Sequence, residues 1–228
     1  IDGNERNCAI VRDISERKQS EHALARQQDL YDMLSQTNEA IVRMSGREEL
    51  FQAVCRIAVN SGHFLFAWIG LLDPDDRTVK RAAKHGEDAG YVDGLRLSAA
   101  ADQPGGSGRI GQAIGAGTRV ITNNFLDDPI VAPWHEAARR AGFRAAAVFP
   151  LHLQGVAVGS LNLYAGERDF FSEDLLPTLD QMADNVSFAM DNLARETSRK
   201  RAQEALTRSE ERFRILFDRA SDGIMIAS

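Results

Sequence analysis

The sequence predicts an α+β domain flanked by two long helices, and three observations carry that expectation. The middle of the chain, about 62–166, alternates short apolar runs with turn residues, as strands do. Residues 145–153 and 156–164 read as a hairpin joined at Gln154-Gly155. Both flanks instead repeat apolar residues at 4-3 spacing, which places them on one stripe of a helix.

Taken in order, residues 8–14 read as a single short strand with nothing upstream to pair with. A lone strand is not stable in water, so we expect the end of a preceding domain. Ser15 follows as a helix N-cap, with Glu16 and Glu21 near the positive end of the helix dipole. The helix from Glu16 to Ser45 carries Ala23, Gln27, Leu30, Leu34, Thr37, Ile41 and Met44 on one stripe. Gln27 and Thr37 weaken that stripe, so it reads as a marginal coiled coil. After the Ser45-Gly46 break, a second helix over Glu48–Asn60 puts Leu50, Val54, Ile57 and Ala58 on one face. Strands are expected at Phe64–Leu72 and Thr78–Lys84, with the turn Asp73-Pro74-Asp75-Asp76 between them.

Residues 86–117 are rich in Gly, Ala and Asp and read as a long loop ending in a short helix at Ile110–Gly115. Arg119–Asn123 reads as a short strand, and His135–Ala141 as a short helix stopped by Gly142. On the last strand Ala157, Gly159, Leu161 and Leu163 share one face, and Val156, Val158, Ser160, Asn162 and Tyr164 the other. One face thus meets an apolar layer and the other tolerates polar groups. Ser172 caps the final helix, whose stripe Leu175, Leu179, Met182, Val186, Ala189 and Leu193 is better than the first. Pro177 removes a helical donor and predicts an irregularity in the early turns. The helix continues past a polar stretch at 195–201 through Leu206, Phe213, Leu216 and Phe217, and residues 221–226 read as a turn into another unpartnered strand. The matching ends imply a segment of a linear domain array.

Composition narrows the function. Lys and Arg number 27 against 33 Asp and Glu, a net charge of −6. Nucleic-acid binding needs a basic surface, so that class is disfavoured. No apolar run approaches the roughly 20 residues of a membrane-spanning helix, and no signal pattern opens the chain. Two cysteines, Cys8 and Cys55, are too few for a disulfide framework or a four-thiolate zinc site. The expectation is a reduced, cytoplasmic protein.

Motifs add little chemistry. Gly106-Ser107-Gly108-Arg109-Ile110-Gly111 matches G-x-G-x-x-G, but no strand precedes it, so it reads as a loop entering a helix. None of the five histidines stands three or four residues from another. No zinc site is expected, and His135 alone is placed to line a cavity or ligate haem. No nucleophile–base pair assembles, and Asp127-Asp128 before Pro129 reads as a turn. Aromatics are more informative. Phe66 and Trp68 share the strand face that also carries Ser160 and Asn162, and Phe125, Trp134 and Phe143 lie in segments that would cover it. Such rings form either a ligand pocket or a filled core.

These pieces resemble known families. Residues 9–24 (AIVRDISERKQSEHAL) resemble the closing strand and exit helix of a PAS domain, and residues 202–226 (AQEALTRSEERFRILFDRASDGIMI) the entry helix and first strand of another. Between them, about 30–195 resembles a GAF domain in the runs 66–73 (FAWIGLLD), 142–151 (GFRAAAVFPL), 155–165 (GVAVGSLNLYA) and 171–174 (FSED). The organisation expected is residues 1–15 as the end of one PAS-like domain, 16–45 as a helical connector, and 46–195 as the GAF domain, with a first helix starting near 30. A second connector at 196–219 and the start of a PAS-like domain at 220–228 complete it.

The resemblance implies an antiparallel sheet of five or six strands. Terminal helices would lie on one face and form a homodimer, and loops and short helices would cover a ligand pocket on the other. It places that pocket at Phe66, Trp68, Phe125, Trp134, Phe143, Arg144, Ser160 and Asn162. Residues 122–127 (TNNFLD) lack the lysine of cyclic-nucleotide-binding members. The pocket cysteine of bilin-binding and methionine-sulfoxide-reducing members is missing as well, so covalent bilin is disfavoured and haem stays open. The function implied is a non-enzymatic sensory module that receives a small molecule or relays a signal. Its output, a cyclic-di-GMP cyclase/phosphodiesterase or a histidine kinase, would lie outside this chain. The alternative is a ligand-free dimerisation spacer.

Overall fold

A computed structural model describes residues 24–92 and 108–225, and side chains as far as 214. The strand expected at 8–14, the helix start at 16–23, and residues 93–107 of the loop expected at 86–117 lie outside the described residues.

Helix α1 covers 24–43. Helix α2 (Arg47–Ser61) follows, then strands β1 (Phe66–Leu72) and β2 (Val79–Gly86), helix α3 (Arg109–Ala116) and strand β3 (Val120–Thr122). Two 3-10 turns at Phe125–Asp127 and Pro129–Trp134 lead into α4 (His135–Ala141). Strands β4 (Ala145–Leu153) and β5 (Val156–Ala165) and helix α5 (Leu176–Met225) complete the chain. All pairings are antiparallel and the strand order is β2-β1-β5-β4-β3.

The β4–β5 hairpin turns at Gln154 (φ 53°) and Gly155 (φ 79°). Two successive positive φ values form the tight turn whose twist matches paired strands. The tip is fastened to α5. His152 N donates to Ser187 Oγ (3.0 Å) and Gln154 N to Asp191 Oδ1 (2.8 Å). Where β5 crosses β1, a Cβ on Gly159 would stand 2.3 Å from the Gly70 carbonyl oxygen, so only glycine fits there.

Alternation splits the core in two. Ala67 and Ile69 of β1, Leu161 and Leu163 of β5, and Phe149 and Leu151 of β4 face α1, α2 and α5. Phe66, Trp68, Ala146, Val148 and Tyr164 face the opposite side, under α3, α4 and the 3-10 turns.

Both helical stripes turn inward. Leu30 and Leu34 of α1, and Leu179, Met182 and Val186 of α5, are buried in the sheet-facing core. Each such side chain contributes about 1.5–3 kcal/mol of burial. The stripes read as coiled-coil seams are therefore packing faces of this domain, and α1 belongs to its core inside the 16–45 stretch expected as a connector. Asn185 Nδ2 donates to Asn38 Oδ1 (2.7 Å), Arg26 pairs with Glu167 (2.7 Å), and the Arg26 guanidinium lies 4.4 Å from the Phe170 ring centre. Helix α1 thus runs beside α5 in the same direction.

Two local expectations are corrected. Helix α5 starts at Leu176, so Pro177 sits in the first turn, where its missing N–H has no partner to lose and no distortion is needed. Residues 221–225 continue the helix instead of turning into a strand. Helix continuation satisfies their backbone locally. Between β3 and α4 the sequence reading has only a turn at Asp127-Asp128 before Pro129, where the structure has two 3-10 turns.

Thr37, at the middle of the α1 stripe, is wholly buried, and its Oγ1 has no hydrogen-bond partner among the described residues. An unmet buried hydroxyl loses its hydration without compensation. Thr37→Val is expected to raise the stability of the domain by about 1 kcal/mol in urea denaturation. A loss of stability would show that the hydroxyl is satisfied.

Candidate functional site

On the aromatic side of the sheet, the lining is assembled from both chain halves. Strand β5 supplies Tyr164, while β4 supplies Ala146 and Val148, small enough to leave space above the sheet. Phe125 and Trp134 form the cover with Tyr91. Rings fill most of this region. Phe143 lies 4.6 Å from Tyr164 and 5.9 Å from Phe66, centre to centre, and Tyr91 meets Phe143 and Tyr164 edge-on at 5.4 Å each. What remains is a hollow of about 20 Å³, room for one or two water-sized molecules.

Three polar groups converge beside it. The Trp68 indole is buried, and its Nε1 has no hydrogen-bond partner among the described residues, though the Tyr164 hydroxyl is its neighbour. The Tyr91 hydroxyl lies next to that of Tyr164. Burial, followed by the neighbouring Tyr164, holds the Tyr91 hydroxyl well above the usual tyrosine range. Burial also raises Tyr164, partly offset by the Trp68 N–H and the Tyr91 hydroxyl. Both therefore stay protonated at neutral pH. Two touching hydroxyls share only one hydrogen between them and the indole accepts none, so at least one donor must be met by something else.

The rim is charged but balanced. Arg109 Nε and Nη2 reach Asp128 Oδ2 at 2.8 and 2.7 Å, and Nη1 reaches Gln112 Oε1 at 3.0 Å. Asp128 Oδ1 caps the following 3-10 turn by accepting from Ile130 N (3.0 Å). An arginine in the first turn of α3 opposes the helix dipole, and the Asp128 carboxylate offsets that cost.

The eight residues expected at the pocket fall into four places. Phe125 and Trp134 line the hollow. Phe66, Phe143 and Trp68 are buried beside it in the ring cluster. Ser160 and Asn162 are on the same sheet face but sealed away from the hollow. Asn162 Nδ2 lies 3.1 Å from Ser160 Oγ and 3.2 Å from the Trp68 carbonyl oxygen. Arg144 is exposed, and only its backbone takes part, accepting from Phe125 N at 2.8 Å.

Sequence reasoning missed Tyr91, Arg109, Thr122 and Tyr164. Tyr164 shares its strand face with Ser160 and Asn162, so alternation already pointed at it. The dipole-opposed Arg109 signalled a carboxylate partner. Tyr91 gave no periodic signal inside an irregular stretch.

A haem does not fit a hollow this small, and His135 Nε2 is engaged with the Asp128 carbonyl oxygen at 3.0 Å. Cys55 lies on α2 in the opposite core, where burial pushes its thiol up to about 12. Among the described residues no cluster of three or more His, Cys, Asp or Glu could hold a metal, and no helix is long and apolar enough to cross a membrane.

Comparison with known proteins agrees with this architecture. The family model for the GAF domain matches residues 45–191, close to two thirds of the chain. The chain belongs to the GAF domain family. A curated relative, the methyl sulfide methyltransferase-associated sensor of Methanosarcina acetivorans, is 25% identical over 221 residues. That match takes in 95% of this chain but 20% of the sensor, so the chain spans about one fifth of its relative. The GAF domain of a phosphoenolpyruvate-protein phosphotransferase from Coxiella burnetii superposes with a TM-score of 0.61 at 15% identity, over 75% of this chain and 98% of that one. Free methionine-R-sulfoxide reductase from Neisseria meningitidis, in complex with its substrate, gives 0.59 at 18% identity, over 74% and 91%. At such identities the structural likeness speaks for the GAF fold alone. Among these similar proteins are both a sensor and an enzyme, so the site decides the reading.

Proposed function

We propose that this GAF domain is the sensory or regulatory module of a signal-transduction protein, without chemistry of its own. A compact molecule in the hollow, or a signal from a PAS-like segment at 1–15, shifts α1 and α5 relative to a second copy. The change passes along 196–219 to a PAS-like segment from 220 and then to a cyclic-di-GMP enzyme or histidine kinase beyond the chain. One observation carries the reading. A buried indole donor, without a partner among the described residues, stands beside a hollow on one sheet face, and the helices that leave the domain pack on the other.

The lining selects the ligand: its interior is apolar, with hydroxyl and indole hydrogens to offer and no uncompensated charge. An uncharged, compact molecule with one acceptor atom suits it, whereas an anion would have to displace Asp128 from Arg109.

The second copy meets an outer face. Phe188, Leu206 and Phe213 are 62%, 53% and 73% exposed on α5. They fall on one 4-3 stripe with Asn192, Arg195, Arg199, Ala202 and Ser209. Helix α5 is exposed throughout 195–214, and a helix so unsupported gains most of its stability from a partner. The polar members of the stripe keep that pairing marginal, so a bias of a few kcal/mol can switch it.

The ligand-free spacer is favoured by the small size of the hollow. One experiment separates the two. The chain has two tryptophans, Trp68 and Trp134, both on this side of the sheet, so two indole N–H signals report on the site by NMR. Saturable shifts of the Trp68 signal with a small neutral acceptor are expected from a metabolite library. Silence of both signals across the library would remove the ligand-binding version.

A further inference from the structure

We propose that Asn123 is the positioning residue that couples the hollow to α1 and α5, round the end of the sheet and not through it. The inference rests on the sensory reading above.

The segment that closes the hollow faces two ways. Thr122 and Phe125 line the hollow. Asn123, between them, turns away and holds the loop between β5 and α5. Its Nδ2 donates to the Phe171 carbonyl oxygen and its Oδ1 accepts from Phe171 N, both at 3.0 Å. Its backbone oxygen accepts from Asp169 N at 3.1 Å. One residue thus satisfies three main-chain groups of a neighbouring loop. Asp169 sits at φ 52°, a conformation side chains rarely adopt, and the bond to Asn123 holds it there. Asn124 Nδ2 to Asp169 Oδ1 (3.4 Å) and Arg168 to Asp127 (3.2 Å) run alongside.

The other end of this loop belongs to the helices. Phe170 and Phe171 pack on Phe64 at 5.4 and 6.0 Å in the opposite core, and α5 begins five residues after Phe171. Arg26 of α1 covers the Phe170 ring and pairs with Glu167. A displacement of Phe125 therefore reaches α1 and α5 through Asn123 and four loop residues. The bonds of Asn123 offer a route that does not pass through the sheet.

The test is a double-mutant cycle on the whole 228-residue chain. Phe125→Leu alters the wall of the hollow, Asn123→Ala removes both side-chain bonds, and amide hydrogen exchange is read at 24–43 and 166–175. Phe125→Leu alone is expected to speed exchange at both segments on the order of fivefold or more, and to add nothing once Asn123 is alanine. If Asn123→Ala does not fold, Asn123→Asp replaces it. Asp keeps the acceptor for Phe171 N and loses the donor, and is expected to remove part of the response. A merely structural Asn123 gives additive changes, which would overturn its coupling role while the sensory reading survives. No response of 24–43 to Phe125→Leu in the otherwise native chain would overturn both.

Discussion

Leu179→Ala is expected to destabilise the domain by about 3 kcal/mol, through lost burial and the cavity left behind. Leu179 is fully buried and forms one core cluster with Met182, Val186, Leu161 and Phe149. For a domain of this size that corresponds to a melting point lower by roughly 6–12 °C. Because the contact is intramolecular, the shift should not depend on protein concentration. Calorimetry over a hundredfold range of concentration checks this. A mutant that keeps its melting point but dissociates would return the Leu179 stripe to a subunit interface.

The complementary change lies on the outer face of the same helix. Leu206→Glu combined with Phe213→Glu is expected to abolish the proposed homodimer. Two apolar seam positions then carry like charges opposite their own copies, so association loses burial and gains repulsion. Neither residue touches the sheet-facing core, so the domain should melt within about 2 °C of the native chain. Analytical ultracentrifugation reads the first effect and calorimetry the second. A native chain that sediments as a monomer at tens of micromolar, or a charged variant that still dimerises, rejects the proposed face.

These two variants also mark where sequence reading succeeds and stops. Periodicity found α2, α4, the hairpin and both helical stripes, because each rests on local spacing. It also placed Trp68, Ser160 and Asn162 on one sheet face, as the register Trp68↔Asn162 and Gly70↔Ser160 requires. Spacing does not say what a stripe meets, so a stripe packed on its own sheet looks like one awaiting a twin. The hollow was harder still. Phe66 and Phe143 had the right chemistry to line it, but whether rings fill a space or border it depends on volumes from five separate segments. Arg144 and Tyr91 show the same limit from opposite sides: one precedes a strand and points outward, the other sits in an irregular stretch and points in.

The fastening of the β4–β5 hairpin tip sets where motion can begin. Asp191 is the last α5 residue tied to the sheet by a side-chain bond among the described residues. Leu193 still packs on the core, and beyond it the rod runs exposed for about 32 Å to residue 214, at 1.5 Å per residue. The pin acts as a fulcrum. A tilt of roughly 5° there swings the far end by about 3 Å over such a length, so a shift too small to disturb the core is magnified where the next domain would attach.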